Sequence, residues 1–384
     1  LIRKEKGAFM AADVKPSDSE EADFIFLNHA AVAPISGPAA KRLRDYAEQA
    51  SSRSYVGADW YGQIPYVRRQ AAKLICADGE HEIAFIPNTS TGLNLVARGL
   101  EWKEGDEVVT TDAEYPANRY PWEDLQRQGV RLRTVEEDAA GRIPAEAVIN
   151  AVNRRTRLVA LSHVQYASGY RMNLRPIAEA IHRVGGHLCV DAIQSVGVVP
   201  LDVKKLGIDF LSADGHKWLL SPEGCGVFYC RAELIEKLHP AVIGWLNMVA
   251  ATDFDTYRFE LQPDARRFEP GTHNVPGILA LGASIDLLLE TGMPTVWQQV
   301  ETLTSRLCLG LERRGYRVYS PRAEGESSGI VAVDPPAEGE NVEALRGRLA
   351  SRGIVAAARR GHLRISPHFY NTAQQIDRLL AALD

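Results

Sequence analysis

Cysteine is scarce and scattered in this chain of 384 residues: five thiols, at 76, 189, 225, 230 and 308, with no CxxC pair. That spacing builds no zinc site and no other metal site. It also lacks the dense pairing that staples small secreted domains. Cys189 and Cys225 sit in apolar, strand-like runs, so buried, reduced thiols in the cytoplasm are expected. Long hydrophobic runs are missing too: no uninterrupted apolar stretch would span a bilayer, and no membrane partner is expected. Positive charge is nowhere concentrated, and the net charge is −5, which argues against a generic nucleic-acid binder. No GxGxxG follows a first strand, so a dinucleotide site is disfavoured. The polar start, Leu1-Ile2-Arg3-Lys4, lacks both an initiator Met and the apolar core of a signal peptide. Met10 is a candidate natural start, and the charged, Ser-rich residues 1–22 are expected to be poorly ordered.

What is present is an ordinary globular composition, 45% hydrophobic and 24% charged, in a chain long enough for a large core and more than one unit. From residue 83 to 230, short β-rich runs alternate with helical stretches. The runs fall at 83–86, 107–111, 130–135, 157–162, 187–191, 209–213 and 226–230. Between them lie helical patterns such as 174–184, with apolar positions at Ile177, Ala178, Ile181 and Val184. This alternation predicts an α/β fold with a seven-stranded, mostly parallel sheet covered on both faces. After Pro270 the pattern changes. Two long helices are expected over 278–289 and 294–313, with Gly292 and Gly315 as stop signals. Strands at 316–320, 329–334, 353–357 and 362–366 and helices at 342–351 and 372–383 then form a smaller α+β unit. The division expected is a large domain over 23–270, whose first residues pack on the small one, and a small C-terminal domain over 271–384.

In open α/β sheets, ligands bind beyond the carboxyl ends of the strands. The chemically suggestive residues of this chain all lie there. Lys217 follows the run 209–213 within Ser212-Ala213-Asp214-Gly215-His216-Lys217-Trp218, and Asp191 closes the run 187–191. Taken singly, each reads as a surface lysine or a strand-capping acid. Together they suit pyridoxal phosphate: the lysine forms a Schiff base with the aldehyde, and the carboxylate keeps the pyridine nitrogen protonated so that the ring can accept electrons. Asn88-Thr89-Ser90-Thr91-Gly92 opens a helix, where free N–H groups and hydroxyls favour a phosphate; a plain N-cap is the alternative. Tyr115, Gln165, Tyr166 and Gln194 follow strands at the same end. In the C-terminal part, His362, Arg364 and Ser366 alternate with Leu363 and Ile365, so period two puts the polar three on one face. A guanidinium there can grip an α-carboxylate through two parallel hydrogen bonds.

These elements resemble the class V aminotransferases of pyridoxal phosphate fold type I, and within them the cysteine desulfurases and isopenicillin N epimerase. The matching marks are Phe26-Leu27-Asn28-His29-Ala30-Ala31, Asn88-Thr89-Ser90, Glu114-Tyr115-Pro116-Ala117-Asn118, Asp191-x-x-Gln194, Gly215-His216-Lys217, Arg267-Phe268-Glu269-x-Gly271-Thr272-x-Asn274 and Arg364-x-Ser366-x-x-x-Tyr370-Asn371-Thr372. The resemblance implies that Lys217 holds the cofactor and then moves protons. Asp191 pairs with the pyridinium, and Gln194 donates to the phenolic oxygen. Ser90, Thr89 and His216 hold the phosphate. Thr272 reaches the phosphate of a neighbouring subunit, which implies a homodimer. Arg364 binds the substrate carboxylate. Arg359 is a second candidate for that task, or a solvated loop charge, and His29 is a candidate pocket residue or a cap. Tyr115 stands where desulfurases carry a histidine stacked on the ring; it can stack as well, but is a far weaker acid at neutral pH.

Two departures bear on the reaction. Asp214 replaces a serine donor to the phosphate, and a carboxylate there is expected to turn away, toward a backbone amide. In Arg360-Gly361-His362-Leu363-Arg364, the loop that carries the nucleophilic cysteine of one desulfurase group is missing. The expected function is therefore that of an enzyme acting at Cα or Cβ of an amino acid, by transamination or β-elimination of the C–S lyase type. Epimerisation, or a desulfurase-like protein without its thiolate, is the alternative. A non-catalytic module that merely binds the cofactor would have no need of both Lys217 and Arg364.

Overall fold

The computed structural model describes residues 24–335 and 341–384; the expectations for residues 1–22 and for Met10 lie outside them. Its centre is a seven-stranded sheet. In spatial order the strands are Ile83–Ile86, Gly226–Cys230, Phe210–Asp214, His187–Asp191, Thr156–Ser162, Glu107–Thr111 and Arg131–Val135. Only Gly226–Cys230 runs antiparallel to its neighbours; the other pairings are parallel. The sequence pattern therefore places the strands to within a residue or two at their ends.

Helices cover both faces, and that is why the strands read as nearly continuous apolar runs. Alternate residues of one strand enter different cores. Val159 and Leu161 pack on one side with Ile177 and Ile181, while Leu158 and Ala160 pack on the other with Leu93 and Val96. The edge strand Arg131–Val135 is the exception. It is mostly exposed, and its arginines make the open edge a poor template for pairing.

The helix Val275–Thr291 is mostly buried and shares the core of the large sheet through Ile278, Leu281 and Ile285. The division expected at residue 270 gave it to the small unit, but packing binds it to the large one. At Gly292, with φ of +83°, the chain bends by 81° into Met293–Glu312. Among the described residues no single helix is long and apolar enough to cross a membrane.

The small unit holds a three-stranded sheet in the order Ala357–Arg359, His362–Ile365, Val331–Val333, all antiparallel. A two-stranded parallel pair joins Ile25–Phe26 to Ile354–Val355. The run expected at 353–357 thus serves two sheets, with Ala356 as the break. The strand expected at 316–320 does not form; only the bridge Val318↔Val333 is made there. Ile25 and Leu27 pack with Leu307, Leu363 and Ile376, so the N-terminal strand belongs to the small core although it precedes the large sheet in sequence.

Candidate active site

The carboxyl ends of the parallel strands and the face of the small sheet enclose a cleft of about 320 Å³. It brings together Lys217, Asp191, Gln194, His216, Thr89 and Ser90 from the large unit, with Tyr115 at its mouth. From the small unit it receives Arg364 and Arg359.

Asp191 is positioned by register. It pairs with Ser162 on one side and Ser212 on the other, so a buried strand end fixes its carboxyl. Burial raises its pKa to about 7, against the Ile193 N–H that donates to Oδ1 at 3.0 Å; Glu114 adds to the rise and Lys217 opposes it. Lys217 moves in the opposite direction. Burial lowers its pKa to about 8, Asp191 opposes the fall, and Arg364 adds to it. An amine so poised can exchange a proton near neutral pH. Its Nζ lies 5.7 Å from the centroid of the Tyr115 ring, and that ring meets Tyr166 edge-on at 5.2 Å.

The phosphate end is built on the helix Thr89–Gly99. Asn88 caps it by accepting the Thr91 N–H at 2.9 Å, and helical geometry leaves the earlier N–H groups of Thr89 and Ser90 without internal partners. The helix can start this close to the sheet because residue 92 is glycine: a Cβ there would meet Ser212 Oγ at 2.3 Å. Ser212 Oγ donates to Thr89 O at 2.9 Å, and Thr89 Oγ1 accepts the Asp214 N–H at 3.0 Å. Asp214 turns to a backbone amide as expected, accepting the Gly215 N–H at 2.7 Å. Its other oxygen lies 2.8 Å from His216 Nδ1, without hydrogen-bond alignment.

Gln194 is held from behind. Its Oε1 accepts the Trp218 indole N–H at 2.9 Å, and its Nε2 donates to Ala30 O at 3.0 Å. An indole can only donate, so the amide orientation is fixed and one N–H remains for the cleft. Trp218 and Glu114 are the residues to which sequence reasoning gave no role. Glu114 is buried and accepts from Ser162 N–H at 2.9 Å, Gln165 Nε2 at 3.0 Å and Asn118 Nδ2 at 2.8 Å, with the Ser162 hydroxyl as a further donor. It thereby ties the turn that carries Tyr115 to the strand beside Asp191. Burial raises its pKa against those hydrogen bonds. The signal for Trp218 was its place directly after the lysine, since a buried indole N–H needs an acceptor.

Arg364 is only 2% exposed. Its Nη1 donates to Tyr166 O at 2.7 Å and Nη2 lies 3.4 Å from Asn28 Oδ1, while Nε has no partner. Among the described residues no carboxylate pairs with it. Burial first, then Arg359, lowers its pKa to about 9, which still leaves a cation at neutral pH. A buried cation with an idle donor is costly unless an anion completes it.

Two expected residues lie elsewhere. His29 does not line the cleft, a correction with a plain cause: both ring nitrogens are spent, on Ser366 O at 2.9 Å and on Tyr370 Oη at 2.6 Å. It is a buried joint between the units. Thr272 lies in a different groove, with Arg68, Glu269 and His273, so within one chain it does not join the Lys217 cleft.

A profile described as aminotransferase class-V matches residues 25–379. The chain belongs to the class V aminotransferase family. It is 29% identical to a probable cysteine desulfurase of Methanothermobacter thermautotrophicus, with 94% of each chain covered. It is 33% identical to isopenicillin N epimerase of Streptomyces clavuligerus over 83% of each. Its fold superposes on a cysteine desulfurase structure from Thermococcus onnurineus with a TM-score of 0.84, at 28% identity and 94% coverage of both chains. The fold is that of the type I pyridoxal phosphate enzymes, and this chain is an enzyme that uses that cofactor. The cleft fits it: a carboxyl for the ring nitrogen, a free amide N–H for the phenolic oxygen, unpaired helix N–H groups for the phosphate, and an amine between them.

Proposed function

We propose that this enzyme binds an α-amino acid in the Lys217 cleft and carries out transamination or β-elimination at Cα and Cβ. The observation that carries the reading is Arg364, a buried guanidinium without a carboxylate partner, in the same cleft as Lys217. Its free Nε edge suits an α-carboxylate through charge-assisted hydrogen bonds. Pyridoxal phosphate, when bound, supplies the electron sink that lowers the cost of removing the Cα proton. Asp191 keeps the ring nitrogen protonated, Gln194 donates its remaining N–H to the phenolic oxygen, and Thr89, Ser90 and His216 take the phosphate. Lys217 accepts the Cα proton, aided by the burial that makes its neutral form accessible. Tyr115 covers the ring.

No cysteine lines the cleft, and burial raises the pKa of all five thiols. A thiolate to accept sulfur is therefore not at hand. The hairpin before Arg364 turns through Arg360 and Gly361 alone, with φ of +48° and +85°, and so carries no inserted loop. The likeness to an epimerase keeps one alternative in view, return of the proton to the opposite face of Cα. In our reading Thr272 completes the site of a second subunit in a homodimer, and the five free thiols suit the reducing cytoplasm.

The test is product analysis on a panel of amino acids. Keto acid with aminated cofactor, or pyruvate with ammonia, is expected. Loss of optical rotation alone would move the assignment to epimerisation, and sulfide release that depends on a protein thiol would overturn it.

A further inference from the structure

We propose that Arg359 forms a second anion subsite, and that the substrate is an α-amino acid whose side chain carries its own negative charge. This rests on the function proposed above and narrows its substrate class.

The argument starts from the hairpin. Ala357 is the cross-strand partner of Arg364, and Arg359 of His362. Residues 357 and 359 point to one face, which directly paired residues share, so Arg359 lies diagonal to Arg364 on the cleft side. Diagonal neighbours on a sheet sit about 7–8 Å apart, within reach of long side chains. Both arginines line the Lys217 cleft. The charge of Arg359 is felt there, because it depresses the basicity of both Arg364 and Lys217.

Charge balance supplies the second step. The neighbouring Arg360 has its carboxylate, Glu137, at 3.2 Å. Arg359 has none among the described residues, and its one hydrogen bond goes to the adjacent Ala358 O at 2.7 Å. The acids of the cleft are already engaged, Asp191 with the Ile193 amide and Asp214 with Gly215 and His216. Once Lys217 is taken up by the cofactor, two guanidiniums without a carboxylate partner remain in the cleft, and the outer one, Arg359, is exposed. Their mutual repulsion is relieved when two anionic groups enter. The α-carboxylate satisfies the buried Arg364, and a carboxylate, sulfinate or sulfonate on the side chain meets Arg359.

The experiment titrates the holoenzyme with matched pairs, aspartate against asparagine and glutamate against glutamine, and follows the absorbance of the bound cofactor. The wild type is expected to favour the anionic member about fivefold, the upper range for a solvent-exposed ion pair, and the preference should shrink as salt is added. Arg359→Gln should weaken the anionic member about fivefold more than the neutral one, and Arg359→Lys should restore part of the preference. Equal affinity for both members in the wild type would overturn the proposal. So would a uniform loss in Arg359→Gln, which would assign the residue to the α-carboxylate. If no amino acid perturbs the cofactor band, the Lys217 function itself falls, and the subsite with it.

Discussion

Trp218 donates its indole N–H to Gln194 Oε1 at 2.9 Å, and together with the Nε2 bond to Ala30 O at 3.0 Å it fixes which end of the amide faces the cleft. Replacing Trp218 by Phe should leave Oε1 without its donor and the amide held by the Ala30 bond alone. Loss of a buried neutral hydrogen bond costs about 1 kcal/mol, so Trp218→Phe should retain the cofactor roughly fivefold more weakly and shift the pH at which its absorption bands interconvert. Equilibrium dialysis and a spectral pH titration read the two effects. A folded variant with unchanged affinity and bands would sink this role for Trp218.

Lys217→Ala removes the amine proposed to link the cofactor. The visible band of the linked form should vanish while reversible cofactor binding persists. An unchanged spectrum would place the linkage on another residue.

Arg364→Ala should weaken amino-acid binding roughly 10- to 100-fold, the range for a charge-assisted hydrogen bond lost from a buried site. Cofactor affinity should change little, because no phosphate or ring contact is assigned to this residue. Separate titrations of cofactor and amino acid distinguish the two, and normal substrate saturation would count against the assignment.

The Asp191 and Lys217 shifts predict opposite pH effects on the cofactor-free chain. Asp191 has its folded pKa raised to about 7, so the folded state holds the proton more tightly than the unfolded one. Its contribution is fully present below the ordinary carboxylate pKa and is lost as pH rises toward 7. Lys217 has its folded pKa lowered to about 8. Its contribution is present above the ordinary lysine pKa and is lost as pH falls toward 8. Denaturant melts should therefore show Asp191→Asn relieving a decline between about pH 4 and 7. Identical pH profiles for variant and wild type would refute the shift.

Changing the five cysteines to serine one at a time should leave the chemistry intact. Loss of stability is expected at the buried positions 189, 225, 230 and 308, where a hydroxyl replaces a well-packed sulfur. Loss of turnover at unchanged fold, in any one of them, would reopen sulfur transfer.

The large sheet was legible because strands buried on both faces must be apolar along their length, and the helices between them carry the 3.6-residue period. Lys217 and Asp191 were legible because they sit at strand ends in a parallel sheet. The run at 316–320 misled for a related reason. Tyr316 and Val318 are apolar and alternate like a strand, yet only Val318 finds a partner. Apolar alternation registers burial, and burial alone does not supply a ladder. His29 misled because a histidine in a motif shows its chemistry and hides its partners. Ser366 and Tyr370, which occupy its two nitrogens, lie more than three hundred residues away. Long separation in sequence also hid the pairing of Arg364 with Tyr166 O and Asn28, 198 and 336 residues away.

The stretch from Leu27 to Ser36 sews the two halves together. At one end Leu27 O accepts the Ser366 N–H at 2.7 Å and His29 N–H reaches Ser366 O at 3.1 Å. At the other, Ala33 N–H donates to His216 O and Ser36 N–H to Leu220 O, each at 2.8 Å. The Arg364 guanidinium and the Lys217 amine therefore stand on separate cores, with a short strap as the ruler between them. A substitution in that strap can retune how far apart the two ends of a substrate are gripped, without touching either core.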